Sequence, residues 1–369
     1  MYRPTIAEID LTAIRDNLRA IRTFTPPTTQ VIGVVKADAY GHGAVRVAAV
    51  LEQEGVQLLA VATPDEAVEL RESGIVAEIL VLGASPADFV PYAVMNNVAL
   101  TTVNYETTAL YGAAAGTHMV RLHYKIDTGM GCGGILADNA TEEILRSAVV
   151  PRVNIVGLYS HFACADSDAE FTALQAARFA AVMRELHAGG VHPFMAHLAN
   201  SAGMFMSPGA ILDGVRPGIL LYGYPPAIAP ACSVRPVLAL RTELEVVTEL
   251  PVGHDIGYGR TFITSRPTRM ALIPIGYADG YPRGLSNKAH VIVRGRFAPV
   301  VGRVSMDVCA IDVTDIPAAV RGDPVTLIGE QDGLSISANE LAELMGTISY
   351  EIFTSISKRV PRVYIDRHA

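Results

Sequence analysis

The sequence predicts an α/β protein in two parts: an N-terminal (β/α)8 barrel over residues 1–230 and a mainly β domain over residues 231–369. Three observations carry this. Eight apolar, β-rich runs alternate with helical patterns over about 230 residues, the count and length of such a barrel. The pattern changes near Pro225-Pro226-Ala227-Ile228-Ala229-Pro230, after which strand-like runs follow one another, separated by glycine, proline and aspartate turns. The chain, at 369 residues, is also too long for one typical core. A doubly wound open sheet is the competing topology, but the Gly-x-Gly-x-x-Gly turn after its first strand is missing.

Residues 5–24 read as a short strand running into a helix, with Leu11, Ile14, Leu18 and Ile21 on one face. Barrel strands are expected at 31–36, 58–62, 78–83, 98–103, 119–127, 153–160, 193–199 and 211–216. Helical patterns fill 44–54, 64–73, 86–95, 104–115, 140–148 and 168–188. Thr63-Pro64-Asp65-Glu66 and Thr141-Glu142-Glu143 read as helix starts. Beyond the linker, 237–250, 269–277, 290–293, 300–313 and 325–328 read as strands, 337–345 as a helix, and 348–365 closes the chain.

Half of the residues are apolar and 18% are charged, which fits a well-buried globular protein. The net charge of -8, with acids and bases interspersed, argues against nucleic acid or an anionic membrane as the main partner. Cys132, Cys164, Cys232 and Cys309 are scattered with no CxxC pair, so no disulfide framework and no metal site is suggested. The opening residues lack the apolar core of a signal peptide, and no stretch is long and apolar enough to span a bilayer. The expected location is the cytoplasm.

The polar residues at the carboxyl ends of the barrel strands are the candidates for chemistry, because barrel enzymes build their sites there. Lys36 ends the first strand. Burial disfavours an ammonium, so a lysine at this exit suits a neutral, nucleophilic amine. Lys125 and Asp127 follow on the fifth strand, Ser160 and His161 on the sixth, Asn200 and Ser201 on the seventh, and Arg216 on the eighth. Each has a structural explanation when taken singly: a satisfied core histidine, a helix cap, an ion-pair partner. Their convergence on one face favours a site. The turns Asn200-Ser201-Ala202-Gly203 and Arg216-Pro217-Gly218-Ile219 offer backbone N–H groups where barrels bind phosphate, the first of them at an expected helix N-terminus. A reactive lysine opposite a phosphate pocket points to pyridoxal phosphate.

With these residues placed, the sequence resembles the alanine racemase family of pyridoxal-phosphate enzymes over nearly its whole length. The resemblance rests on Val34-Val35-Lys36-Ala37-Asp38-Ala39-Tyr40-Gly41-His42-Gly43, Lys125-Ile126-Asp127-Thr128-Gly129-Met130-Gly131 and Gly157-Leu158-Tyr159-Ser160-His161-Phe162. It continues through Ala199-Asn200-Ser201-Ala202, Val215-Arg216-Pro217-Gly218 and Gly257-Tyr258-Gly259-Arg260-Thr261-Phe262. Gly276-Tyr277-Ala278-Asp279-Gly280, Gly302-Arg303-Val304-Ser305-Met306-Asp307 and Ser349-Tyr350-Glu351 complete it.

The resemblance implies that Lys36 links covalently to the cofactor. Tyr40, Ser201, Gly218, Ile219 and Tyr350 would hold its phosphate. His161 would lie against the ring, Asn200 would help to orient it, and Arg216 would face the ring nitrogen. An arginine gives up no proton, so that nitrogen would stay unprotonated and withdraw electrons less strongly, which limits side reactions such as transamination. Lys36 and Tyr258 would serve the two faces of the substrate, with Tyr258 and Met306 supplied across a homodimer to the partner subunit's site. Met306 would contact substrate through its backbone N–H, and Tyr350 would keep the pocket small enough for alanine. D-alanine for cell-wall peptidoglycan would be the product.

One position departs from the family. Cys132 stands where an arginine that binds the substrate carboxylate is usual. A hydrogen bond to a charged group is worth about 1.5–3 kcal/mol, so its loss could cost roughly ten- to a hundred-fold. The same change leaves Lys125, often carbamylated in the family to pair with that arginine, expected to be unmodified. Arg260 and Lys125 are nearby cations that could compensate. Serine or another small amino acid as substrate, and a cofactor-binding protein with little turnover, are the two alternatives that Cys132 raises.

Overall fold

A computed structural model describes residues 3–193, 195–229 and 232–367. Phe194 of the expected strand 193–199 and Pro230 of the expected linker lie outside the described residues. The chain gathers into two compact units. One holds Ala13–Ala39 and Ala44–Arg235, the other residues 3–12, Tyr40–Gly43 and 236–367.

In the first unit, among the described residues, nine strand pieces follow one another in a parallel sheet, with Ile135–Leu136 paired beside Val120–Asp127. Their order is Gln30–Val31, Gly214–Arg216, Met195–Asn200, Val153–Tyr159, Val120–Asp127, Val98–Thr102, Glu78–Val81, Leu58–Val61 and Gly33–Val34. The path begins and ends in one stretch, residues 30–34, interrupted at Ile32. Nine pieces therefore occupy eight positions of a nearly closed barrel. Leu58–Val61 and Val98–Thr102 are buried at every residue, as parallel strands covered on both faces require.

The helix Pro64–Glu72 starts on a capping box: Thr63 Oγ1 accepts from Glu66 N, and Glu66 Oε2 from Thr63 N. The helix expected from 140 instead spans Ala137–Ser147, entered through Leu136 without a side-chain cap. Thr141 and the two glutamates after it lie inside the helix rather than at its start.

The second unit carries a mostly antiparallel sheet. Its order is Val246–Leu250, Thr268–Ile273, Cys309–Asp312, Arg296–Val301, His290–Val293, Pro324–Gln331, Leu238–Glu243, Ile6–Asp10 and Arg362–Ile365. Two expected long strands are each split, 237–250 around Leu244 and 300–313 around residues 302–308. The closing segment 348–365 becomes the helix Ser349–Ser355 and the strand Arg362–Ile365.

The first strand corrects the expected division of the chain. Ile6–Asp10 lies antiparallel to Leu238–Glu243, with Ile6 opposite Arg241, and parallel to Arg362–Ile365, with Ala7 opposite Arg362. It belongs with the C-terminal unit, not the barrel. Its composition explains this: Ala7 and Ile9 are buried while Ile6, Glu8 and Asp10 are half-buried. That alternation suits a sheet with one covered face and not a barrel strand covered on both. The later changeover falls between Arg235 and Pro236, a few residues beyond the expected linker.

Candidate active site

Gly33–Val34 delivers Lys36 to the carboxyl end of its strand, where the chain makes a single turn, Lys36–Gly41. Ala37, Asp38, Ala39 and Tyr40 have φ between 52° and 56°, so the turn winds left-handed. Such a conformation costs roughly 1–2 kcal/mol per non-glycine residue, and polar contacts hold it. Glu66 Oε1 accepts from Ala37 N at 2.6 Å and Oε2 from Ala62 N at 2.6 Å, while Asp38 Oδ1 accepts from Ala44 N at 2.7 Å. The cap of one helix thus fixes the turn that carries Lys36. Lys36 itself is half-buried, less withdrawn from water than its apolar run suggests.

Arg216 is buried at the end of its strand and anchors a polar chain through the barrel. Its Nη1 donates to His197 Nδ1 at 2.5 Å and to the His197 carbonyl at 2.9 Å. Its Nη2 donates to the Ser160 carbonyl at 2.5 Å and to His161 Nδ1 at 3.3 Å. A guanidinium only donates, so His197 Nδ1 accepts and its Nε2 carries the proton. That Nε2 donates to His123 Nδ1 at 2.9 Å, which leaves the His123 proton on its Nε2. Tyr159 stacks on His197 at 5.0 Å, and its hydroxyl bonds Thr101 Oγ1 at 2.9 Å.

The electrostatics follow from this burial. Desolvation, then Arg121 and Arg216, push His123 down to about 3. Desolvation and Arg216 hold His197 well below the ordinary imidazole range. Desolvation, then Arg216, Lys36 and Lys125, bring His161 to about 3. Burial pulls Arg216 down to about 10, still a cation at neutral pH. The three imidazoles are therefore neutral around one charged guanidinium.

The two turns expected to hold phosphate meet on one side chain. Ser201 is buried, and its Oγ accepts from Gly218 N at 3.0 Å and Leu220 N at 3.3 Å. One N–H group of the second turn and one just beyond it are thus gathered on one hydroxyl, which ties the two turns together. Asn200 Oδ1 accepts from Gly203 N at 2.8 Å, at the first residue of the four-residue helix Gly203–Met206, whose N-cap position is Ala202. A donor-only guanidinium, an imidazole held neutral beside it and a hydroxyl on a pair of N–H groups suit a ring with an acceptor nitrogen and an anionic group. The donor set fits pyridoxal phosphate.

Lys125 rises from the same side of its strand as His123, two residues toward the carboxyl end. Its Nζ donates to the Cys132 carbonyl at 2.5 Å. Cys132 is exposed on the loop after that strand. Asp127 Oδ1 holds the loop by accepting from Gly129 N and Met130 N at 2.8 and 2.9 Å.

The remaining candidates lie in the second unit. Tyr40 and Tyr350 meet with ring centroids 5.6 Å apart. Burial pushes the Tyr40 phenol far up, with Tyr350 adding to it. Tyr258 sits on a one-turn helix, Tyr258–Arg260, and is 72% exposed; Met306 is 52% exposed. Neither is committed to the core of its own chain. Arg260 Nε pairs with Asp255 Oδ2 at 2.8 Å and is therefore not a spare cation.

The pattern-based reading passed over His123, His197 and Tyr159. The signal was slight: two histidines inside otherwise apolar strand runs, and Gly157 on the strand between them. A Cβ at Gly157 would stand 2.2 Å from His123 Nδ1, so the glycine makes room for the imidazole.

Comparison with known proteins is consistent along the whole chain. Residues 9–226 match the alanine racemase N-terminal domain and residues 237–364 the alanine racemase C-terminal domain. The chain is 42% identical to alanine racemase 2 of Caldanaerobacter subterraneus subsp. tengcongensis, covering 99% of this chain and 96% of that one. It is 41% identical to the alanine racemase of Clostridium novyi, covering 98% and 96%. Among solved structures, the alanine racemase of Bacillus anthracis with bound L-Ala-P superposes with a TM-score of 0.94 at 39% identity, over 100% of this chain and 97% of that one. The alanine racemase of Clostridium difficile 630 gives a TM-score of 0.94 at 34% identity, over 100% and 97%. With a barrel ending in Lys36 and Arg216, a β unit carrying Tyr258, and both family domains matched in order, the chain belongs to the alanine racemase family.

Proposed function

We infer that this protein interconverts L- and D-alanine with pyridoxal phosphate as cofactor. The observation that carries this is the buried Arg216, donating to neutral imidazoles at the mouth of a barrel whose first strand ends in Lys36. The relatives and structures named above are all alanine racemases, which favours alanine over serine and turnover over mere cofactor binding. The cofactor, when bound, withdraws electrons from the substrate and makes its Cα–H acidic.

The chain's own residues supply the rest. The Lys36 amine would hold the cofactor and, once released, serve one face of the substrate as a base. Tyr258 would serve the other face, since inversion needs a proton removed on one side and returned on the opposite one. Arg216, a cation that only donates, would leave a ring nitrogen unprotonated. His161, kept neutral, would present an uncharged face to the ring. Ser201, Gly218 and Ile219 would take the phosphate, with Tyr40 and Tyr350 assigned to the same group by the resemblance.

Tyr258 and Met306, both exposed in their own chain, would complete the partner subunit's site in a homodimer, Met306 through its backbone N–H. D-alanine for the cell wall, made in the cytoplasm, is the corresponding role. The two-domain assignment, with the barrel as the cofactor-binding part, belongs to the same reading. Lys125 would be an unmodified amine.

Two measurements test this. Borohydride reduction of the holoenzyme followed by peptide mapping should fix the chromophore on Lys36; labelling elsewhere refutes the site. Incubation with L-alanine in heavy water should show Cα proton loss together with D-alanine; exchange with serine alone would reassign the substrate.

A further inference from the structure

We propose that Arg303 is a positioning residue for Tyr258: its guanidinium, seated against the backbone of Gly259, holds the turn that carries the phenol. This rests on the reading of Tyr258 as one of the two proton-transfer groups.

The turn does not hold itself. Gly257 and Gly259 have φ of 75° and 73°, and Arg260, which is no glycine, has φ of 53°. One internal bond closes it, Arg260 N to the Gly257 carbonyl at 3.3 Å. Tyr258 is 72% exposed, so packing of its own ring within the chain gives little restraint. A strained, exposed turn that keeps one conformation needs support from beneath.

That support comes from Gly302-Arg303. A Cβ at Gly257 would lie 3.1 Å from Arg303 N, so the two backbones are in close approach there. A Cβ at Gly259 would lie 3.1 Å from Arg303 Nη1, 3.2 Å from Cζ and 3.6 Å from Nη2, and these are its three nearest atoms. The guanidinium therefore occupies the space where position 259 would otherwise carry a side chain. The ends of the turn are tied by other groups. Asp255 pairs with Arg260 on one side. Asn287 bridges the other, donating from Nδ2 to Thr261 Oγ1 at 3.2 Å and accepting from Gly302 N at 2.6 Å. Arg303 is left as the side chain under the middle, directly after Tyr258.

Proton transfer requires the phenol oxygen within hydrogen-bond reach of the Cα proton. A displacement of about 1 Å can cost on the order of a hundred-fold. Without the guanidinium the turn has space to sink and the Tyr258 ring to swing, while the Lys36 face is untouched.

This asymmetry supplies the test. In the dimeric holoenzyme, initial loss of the Cα proton into heavy water is measured by NMR separately from L-alanine and from D-alanine. Tyr258→Phe should slow one enantiomer far more than the other. Arg303→Met should slow that same enantiomer by roughly ten- to a hundred-fold, and add little in the Tyr258→Phe background. Amide hydrogen exchange over residues 255–263 should quicken in Arg303→Met with the rest of the chain unchanged. Equal slowing of both enantiomers, or losses that add to those of Tyr258→Phe, would overturn the proposal. If Tyr258→Phe itself shows no preference between enantiomers, the reading of Tyr258 fails first and the proposal falls with it. Should Arg303→Met not fold, Arg303→Lys, which keeps the charge but loses the planar group, carries the same comparison.

Discussion

Acid should unfold this protein through its buried imidazole pair. His123 and His197 are 2% and 0% exposed, linked by a 2.9 Å hydrogen bond and fed by Arg216. Both are held neutral in the native state, His123 to about pH 3. In the unfolded chain each takes a proton near pH 6.5. Above that pH neither state is protonated, and the stability they support is complete. As pH falls below it, the unfolded chain gains protons that the fold refuses, and stability drops until the native pair itself titrates. Each such proton is worth about 1.4 kcal/mol per pH unit, so the pair gives about 2.7 kcal/mol per unit around pH 5, and His161, also brought to about 3, adds about 1.4 to the slope that is measured. Against a usual total of about 5–15 kcal/mol, one or two units of acidification consume a large share.

Urea unfolding, followed by circular dichroism from about pH 7 to about pH 5 at fixed protein and cofactor concentration, measures this slope. His123→Gln removes one titrating ring and keeps a polar group facing His197. It should lower the slope by about 1.4 kcal/mol per unit, whatever it does to stability at neutral pH. An unchanged slope in that variant would show that His123 is protonated in the native state and would refute the tautomer chain drawn from Arg216.

Other substitutions address the site and its supports. Cys132→Arg should raise kcat/KM for alanine by about ten- to a hundred-fold if the departure from the family costs carboxylate binding; steady-state kinetics showing no gain would mean that another group already fills the role. Gly157→Ala places a Cβ 2.2 Å from His123 Nδ1 and should destabilise by about 1–3 kcal/mol, read as a lowered denaturation midpoint. Glu66→Gln keeps the size but weakens the acceptor that holds Ala37 N and Ala62 N. It should slow cofactor attachment at Lys36, followed by absorbance on adding pyridoxal phosphate to the apoenzyme, and a wild-type rate would remove Glu66 from the support of that turn.

Much of the barrel was readable from local pattern. Buried parallel strands announce themselves as apolar runs, and helices such as Pro64–Glu72 carry their own start signal in Thr63 and Glu66. Lys36, His161, Ser201 and Arg216 were legible because they follow such runs, where a polar residue has to be explained. The motifs around Tyr258 and Met306 were found by resemblance, since an aromatic between two glycines has no chemistry of its own to declare.

What the sequence by itself determined is the alternation of strand and helix, the polar residues at the strand ends and the change of character after the barrel. Only the tertiary structure decided which strand pairs with which. Ile6–Asp10 joins Leu238–Glu243 and Arg362–Ile365 across more than two hundred residues, and no local pattern encodes a partner at that distance. It also decided what each polar group touches. Asn200 is spent on the Gly203 N–H, Lys125 on the Cys132 carbonyl, and Arg216 on His197. Hydrogen bonds are short-ranged and directional, so they exist only once the fold has brought their ends together.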